Sequence, residues 1–462
     1  MRAYFFTWRY AIRRFVGVGR TLTDAGHELV VAIPRDRKQK LRTWLRRGAT
    51  IEAYDEVSDA AFGEALALLR QTRDYAWYLS PEQQVASFNR RRALANLMQT
   101  ASAGAIHTSP DWPDPAIPVE ADQVAALDAV LGALDEWIPP DRGVRSLLEG
   151  QRPDVVLVSP LVRQQTHQTE VVKAARALDI PSALLVYSWD NLSNKGRIHV
   201  APDRIFAWNE LQRREAEELH GIDPERVIVA GAPHWDRFFA LEPSIDRAEL
   251  CARYRFDPDE PIVLYLCSTN EVCPDEPPIV ETWLHALRGS SGPLRRANVL
   301  IRPHPREVEI WQGWAPGQEQ VAVTKSMKRK RQSLFDQLHH SAAAVGLNTS
   351  AQIEASIVGR PVYTFSAGAA APAQSGSLHF YYLLKDRGGV VSYAETLGEH
   401  VAQLERGVSG DYDRDAIRHF CELFVRPRGL DRPVSPIIAD EVLKLAGSNV
   451  RPAALPATAP ST

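Results

Sequence analysis

The chain has 462 residues, more than one hydrophobic core of ordinary size takes up, so two domains are expected. Hydrophobic residues make up 45% and charged residues 24%, a globular composition that excludes a chain disordered throughout. The 54 Lys and Arg residues stand against 57 Asp and Glu, a net charge of −3, which gives no basis for a general nucleic-acid binder.

In chain order, strand-like runs alternate with helical ones, the pattern of parallel α/β sheets. A strand is predicted over 3–8, a helix over 11–24 closed at Ala25-Gly26, and a strand over 28–33 ending at Pro34. Residues 62–100 read as a long Arg- and Ala-rich helix. Residues 106–119 read as a loop, because Pro110, Pro113, Pro115 and Pro118 fall there. Strands over 154–158, 182–187, 204–208 and 227–230, with helices over 169–178 and 210–220, complete one sheet. A charged helix over 247–254 precedes a second series, with strands over 262–267, 298–302, 321–323, 342–345 and 361–365.

The expected organisation is an N-terminal domain over 1–236, a linker over 237–256, a second domain over 257–446 and a disordered Pro/Ala/Ser/Thr-rich tail over 447–462. Both domains are read as Rossmann-like and doubly wound, facing a cleft lined by the carboxyl ends of their strands, where such sheets bind polar ligands.

Cys251, Cys267, Cys273 and Cys421 are too few for a disulfide framework, and no Cys/His spacing suits a structural zinc. The first apolar run is broken by Arg9, Arg13 and Arg14, and no later run reaches about 18 residues. The expectation is a soluble, cytoplasmic protein with reduced thiols.

The candidate chemistry sits just after strands. Ile301-Arg302-Pro303-His304-Pro305-Arg306 holds a histidine stiffened by prolines on both sides and flanked by arginines. Such an imidazole donates a charge-assisted hydrogen bond as charge develops on a departing phosphate; a Pro-rich surface loop would look the same. Gly346-Leu347-Asn348-Thr349-Ser350 precedes an apolar helix over 351–358. It sets Thr349 or Ser350 at a helix N-terminus suited to phosphate, with Glu354 one turn in as an acceptor for a ribose hydroxyl. Ordinary capping is compatible with that role. Ser268 and Thr269 close the first strand of the second half and are candidates for the phosphate path, or for a plain strand-end turn.

In the first half, Ser188-Trp189-Asp190-Asn191-Leu192-Ser193-Asn194-Lys195 brings Asp190 forward as a base for an acceptor hydroxyl and Lys195 as an anion contact. An Asx-type turn is the other reading of that segment. Arg9, with Tyr10, Arg13 and Arg14, follows the first strand, and His379 follows the Gly/Ala/Ser-rich stretch 367–376. Both are candidate cleft residues. Residues 35–47 hold seven Lys/Arg with Trp44, Leu41 and Leu45, and 325–331 hold five. Either run is a solvated face or a contact with an anionic membrane surface. No nucleic-acid reader motif accompanies them. Gly17-Val18-Gly19 lacks a third glycine, and no GxxxxGK[ST] occurs.

HELVVAIP (27–34), SWDNLSNKG (188–196), the run 203–238, IRPHPRE (301–307), GLNTSAQIEA (346–355) and LHFYYLL (378–384) occur in an order that resembles bacterial GT-B-fold transferases of the CDP-glycerol glycerophosphotransferase and capsule polysaccharide glycosyltransferase type. The resemblance implies a GT-B-like α/β fold whose second domain holds a nucleotide-sugar or CDP-polyol donor, with a glycan or lipid-linked acceptor. It implies no cofactor and no metal at the donor phosphates. His304-Pro305 and Thr349-Ser350 match the paired HP and Ser/Thr motifs that sialyl- and related transferases of this fold set around a donor phosphate. Glu354 matches the acidic residue set on the ribose. The acidic D/E-D/E-G motif of the sialyltransferases is absent, which argues against sialic acid. The expected activity is transfer of a sugar or polyol phosphate onto a surface polymer or lipid-linked acceptor. In that scheme Asp190 and His304 are catalytic, and Arg302, Ser268, Thr269, Thr349, Ser350 and Glu354 bind the donor. A non-hydrolysing UDP-sugar 2-epimerase, or a non-catalytic scaffold of a surface-polymer assembly, is the alternative.

Overall fold

The computed structural model describes residues 1–8, 11–35, 48–80, 83, 86–102, 120–163, 166–314, 317, 319–324 and 330–448. The chain divides into two compact units: residues 1–81, 92–234 and 431–462 form the first, and residues 82–91 with 235–430 the second.

The first unit is built on seven parallel strands: β1 (Arg2–Thr7), β2 (Glu28–Pro34), β3 (Thr50–Tyr54), β4 (Val155–Ser159), β5 (Ser182–Leu185), β6 (Arg204–Ala207) and β7 (Val227–Val229). Their order across the sheet is β3-β2-β1-β4-β5-β6-β7, all parallel. The central strands are buried along almost their whole length, as expected for a parallel sheet covered by helices on both faces. Local capping sets the helix starts. Asp59 accepts from the Phe62 amide at 3.1 Å to open the helix Ala60–Trp77, and Asn209 accepts from Gln212 at 2.9 Å to open Glu210–His220.

The second unit carries β8 (Ile262–Leu266), β9 (Asn298–Arg302), β10 (Val321–Val323), β11 (Ala343–Val345), β12 (Val362–Phe365) and β13 (Val391–Ala394). These lie in the order β10-β9-β8-β11-β12-β13, again all parallel. Tyr265, Trp283, Leu284, Ile301, Phe365 and Leu404 anchor its core.

The two doubly wound units expected from alternation are present, and most strand positions agree within a residue or two. Several expectations need correction. The stretch read as one helix is two, Ala60–Trp77 and Ser87–Ala101. The short edge strands β3 and β13 were not anticipated. Residues 237–256 are no linker: the helices Asp236–Phe239 and Arg247–Tyr254 pack within the second unit, with Phe238 edge-on to Phe335 and Ser244 bonded twice to Asp336 at 2.8 Å. The helix Val434–Gly447 belongs to the first unit instead of the second. Its Val434, Ile438 and Val442 join Phe5, Phe15 and Leu157 in one core. Gly17 lets this helix approach Val16–Asp24 closely, since a Cβ there would lie 2.2 Å from the Ser435 hydroxyl. The expected loop at 106–119, most of the two basic runs and the tail from 449 lie outside the described residues.

Candidate functional site

In each sheet the strand order reverses direction beside the first strand. In open parallel sheets that switch point opens a crevice at the carboxyl ends, where ligands bind. In the second unit the switch lies between β8 and β11, with β9 on the other side of β8. The loops after β9, β8 and β11 therefore stand side by side, those carrying His304 and Ser350 starting two strand spacings, about 10 Å, apart. Gly346 presses its loop against β8: a Cβ there would lie 2.9 Å from the Leu266 carbonyl oxygen. The loop after β12 is pinned alongside. Gln374 Nε2 donates to the carbonyls of Leu347 at 3.2 Å and Phe365 at 2.9 Å.

Within this edge the expected residues separate into two kinds. His304 is half-buried, and its Nδ1 accepts from the Arg306 amide at 3.3 Å. A neutral imidazole with an accepting Nδ1 carries its proton on Nε2, so that nitrogen is the donor. Thr349 caps the short helix Ala351–Ile357, its Oγ1 accepting from Ala351 at 3.4 Å, while Ser350 makes no side-chain capping bond. Thr269 is half-buried, and its carbonyl accepts from the amides of Val272 and Cys273 at 2.9 and 3.0 Å.

Others face inward. Arg302 is 6% exposed and gives Nη1 to Gln337 Oε1 at 2.6 Å and to Ser333 at 3.3 Å. Through these bonds Nη1 braces the end of β9 from inside. Burial lowers its pKa, against the pull of Tyr254, Glu354 and Cys267. Ser268 is buried, its amide donating to Glu276 at 2.9 and 3.2 Å. Glu354 is only half-buried and accepts from Trp235 Nε1 at 3.3 Å. His379 is buried in the turn Leu378–Leu383.

Glu276 was missed by the sequence reading. It precedes the helix Pro277–Arg288, is 1% exposed, and receives Tyr265 Oη at 3.1 Å besides the Ser268 amide. Burial pushes its pKa up to about 7, although these hydrogen bonds pull the other way. The available signal was an acidic residue before Pro277-Pro278 on a helix opening a few residues beyond a strand.

In the first unit the switch lies between β1 and β4, and Asp190 and Lys195 follow the neighbouring β5. The structure brings these two together: Lys195 Nζ lies 2.9 Å from Asp190 Oδ2, which also accepts from Asn194 at 3.1 Å, while Oδ1 accepts from Ser188 Oγ. Three donors engage this carboxylate, an arrangement that positions the turn. Arg14 lies over the Tyr187 ring at 4.4 Å and 3.0 Å from His234 Nε2. Arg9 is outside the described residues.

The helix Ala60–Trp77 turns Arg70, Arg73 and Asp74 inward into a buried ionic cluster. Arg70 holds Asp135 with Nε at 2.9 Å and Nη2 at 2.8 Å, and reaches Glu170 as well. Despite its burial Asp135 is held down to about 2, chiefly by Arg70 and Lys173. The spacing i, i+3, i+4 of these charges on a helix within a packed domain was the legible hint.

Among the described residues no group of three or more His, Cys, Asp or Glu could hold a metal, and no helix is long and apolar enough to cross a membrane. All four cysteines are buried thiols.

No family model matches the chain, and neither does any curated protein. Solved structures do. UDP-GlcNAc 2-epimerase from Neisseria meningitidis bound to UDP-GlcNAc is 14% identical, with a TM-score of 0.50 over 96% of this chain and 100% of that one. The S. aureus MnaA–UDP co-structure is 12% identical, with a TM-score of 0.52 over 96% and 98%. The calicheamicin glycosyltransferase CalG4 is 14% identical, with a TM-score of 0.47 over 97% and 98%. The first two likenesses, with the two parallel sheets, show the fold: two Rossmann-like domains of the GT-B type.

Proposed function

We propose that this protein is a GT-B enzyme that binds a nucleotide-activated donor at the switch point of its second unit. It transfers the sugar or polyol phosphate to an acceptor held by the first. The observation that carries the reading is the placement of His304, half-buried on a proline-stiffened turn after β9 with Nδ1 accepting from the Arg306 amide, beside the loops that bear Thr269, Thr349 and Ser350. A fixed donor aimed where a leaving phosphate gains charge is worth about two to three orders of magnitude in rate. Thr269, Thr349 and Ser350 bind the phosphates, while Glu276, Ser268 and Arg302 hold the loops. The fold is shared with proteins solved with UDP-GlcNAc and with UDP, which supports a nucleoside diphosphate as the recognised group.

A thermal-shift series of UDP-, CDP-, GDP- and dTDP-linked compounds tests the binding, and at one hundred times Kd the expected stabilisation is about 2.7 kcal/mol. His304→Ala should then keep most of that shift and lose about 100-fold or more in turnover. Wild-type rates in this variant remove His304 from the mechanism, and a flat panel favours a scaffold. The second reading, a nucleotide-sugar 2-epimerase, is supported by the fold shared with UDP-GlcNAc 2-epimerase from Neisseria meningitidis, taken with the engaged state of Asp190. Incubating UDP-GlcNAc without acceptor separates the two, since an epimerised sugar supports only the second.

A further inference from the structure

A groove in the second unit opens at the amino ends of β12 and β13, the end of the sheet opposite the loops that carry His304 and Ser350. Pro361 and Val390, which lead into those two strands, line it together with the helix Leu397–Val408 and the turn before the helix Arg414–Phe424. It encloses about 1370 Å³ of empty space, its mouth included. A single small ligand takes about 300–1,000 Å³, so the opening suits a chain of several linked units.

Tyr363 is set into its wall. The residue is 5% exposed, yet its hydroxyl keeps accessible surface and makes no hydrogen bond among the described residues. A phenol so deeply placed ordinarily finds a partner. Gly407 gives it room, since a Cβ there would lie 1.8 Å from Tyr363 Oη. Burial pushes the Tyr363 pKa up to about 12, with Tyr412 and Asp411 adding to the rise and Arg406 opposing it. The phenol therefore keeps its proton, and all three of those neighbours line the same groove.

The charges around this hydroxyl are exposed and uncommitted. Lys385 and Arg406 stand against Asp386 and Asp411, and none of the four forms an ion pair among the described residues. Asp413 caps the helix Arg414–Phe424, accepting from the Ala416 amide at 2.8 Å. An anion would meet three carboxylates and two cations here, which argues against phosphate. Addition of a strand is closed off as well. Leu384 bridges to Val391, and Gln403 Nε2 donates to the Tyr393 carbonyl at 3.1 Å, so the outer edge of β13 is covered. Donors and acceptors in equal measure beside apolar surface match the hydroxyls and ring faces of sugars. Half-buried Tyr412, with Arg414 over its ring at 4.8 Å, and buried Ile417 supply that surface. We infer that this groove holds a neutral glycan chain, its hydroxyls accepting from Tyr363, Arg406 and Lys385 and donating to Asp386 and Asp411. The site anchors a polymer and makes or breaks no bond, so it does not depend on the transfer reading above.

The test needs no nucleotide. A printed panel of neutral and acidic oligosaccharides, probed with the labelled full chain, should show binding to neutral chains. For the strongest of these, calorimetry on Tyr363→Phe should give a Kd about 3- to 10-fold weaker, the effect of one hydroxyl, and on Arg406→Ala about 10-fold weaker or more. Neither change removes a hydrogen bond or ion pair made within the described residues, so both variants should keep the wild-type urea midpoint. A panel on which no neutral glycan binds, or only acidic ones do, overturns the inference. Binding that both variants leave unchanged puts the glycan elsewhere and overturns it too. If glycan binding follows the variants while the wild-type chain turns over no nucleotide donor, the transfer reading falls and the anchor stands.

Discussion

Glu276→Gln isolates the pH response of the β8 loop. Glu276 is 1% exposed, and its pKa rises from 4.5 to about 7 on folding. The folded state therefore holds this proton where the unfolded chain has lost it. The contribution to stability is complete below pH 4.5 and disappears as pH rises through about 7. The shift corresponds to about 3.4 kcal/mol in full, of which about 2.5 kcal/mol is lost between pH 5 and 8. Glutamine cannot ionise, so the variant lacks this slope, while its amide oxygen can still accept from the Ser268 amide. Cys267 and Cys273, 3% and 1% exposed, flank the same loop and report its opening. Mass-resolved thiol labelling of both proteins across that pH range gives the opening free energy, and the intrinsic thiol reactivity cancels in the difference. Wild type should lose about 2.5 kcal/mol relative to Glu276→Gln. A difference constant to within about 0.5 kcal/mol would falsify the assignment of a buried, protonated carboxyl.

Gly346→Ala should destabilise the second unit by about 1–3 kcal/mol, read as a lower urea midpoint, because its Cβ meets the Leu266 carbonyl at 2.9 Å and both sides are backbone. An unchanged midpoint would show that the loops part freely. His220 and His400 are each pushed down to about 3 by burial, so both are neutral when folded. Their contribution is present above pH 6.5 and lost as pH falls toward 3, at about 1.4 kcal/mol per pH unit for each ring. His400→Gln, which keeps an acceptor for Trp283 Nε1, should flatten the acid limb of the second unit; an unaltered limb refutes the assignment.

The alternation of apolar runs with amphipathic helices made both sheets legible, because strands such as β4 and β9 are buried on both faces and read as unbroken apolar segments. The loops after β8, β9 and β11 were found by position, and parallel pairing does set them side by side. What stayed hidden depends on side-chain direction. Nothing in the sequence around Arg302 says that the guanidinium turns toward Gln337, 35 residues on. The approach of His199 to Asp74 joins positions 125 apart. The helix Val434–Gly447 was assigned to its sequence neighbours, whereas Ile438 and Val442 bury against Phe15 and Leu22 of the first unit.

That helix governs how the polypeptide can be divided. A cut near residue 236 severs no sheet, yet neither fragment is whole. The leading piece loses the apolar cover supplied by Val434, Ile438 and Val442, and the trailing piece keeps a helix whose greasy side has nothing to rest on. Excising 235–430 as an internal block, with the flanking ends rejoined, keeps that helix on its core but parts residues 82–91 from the rest of the second unit.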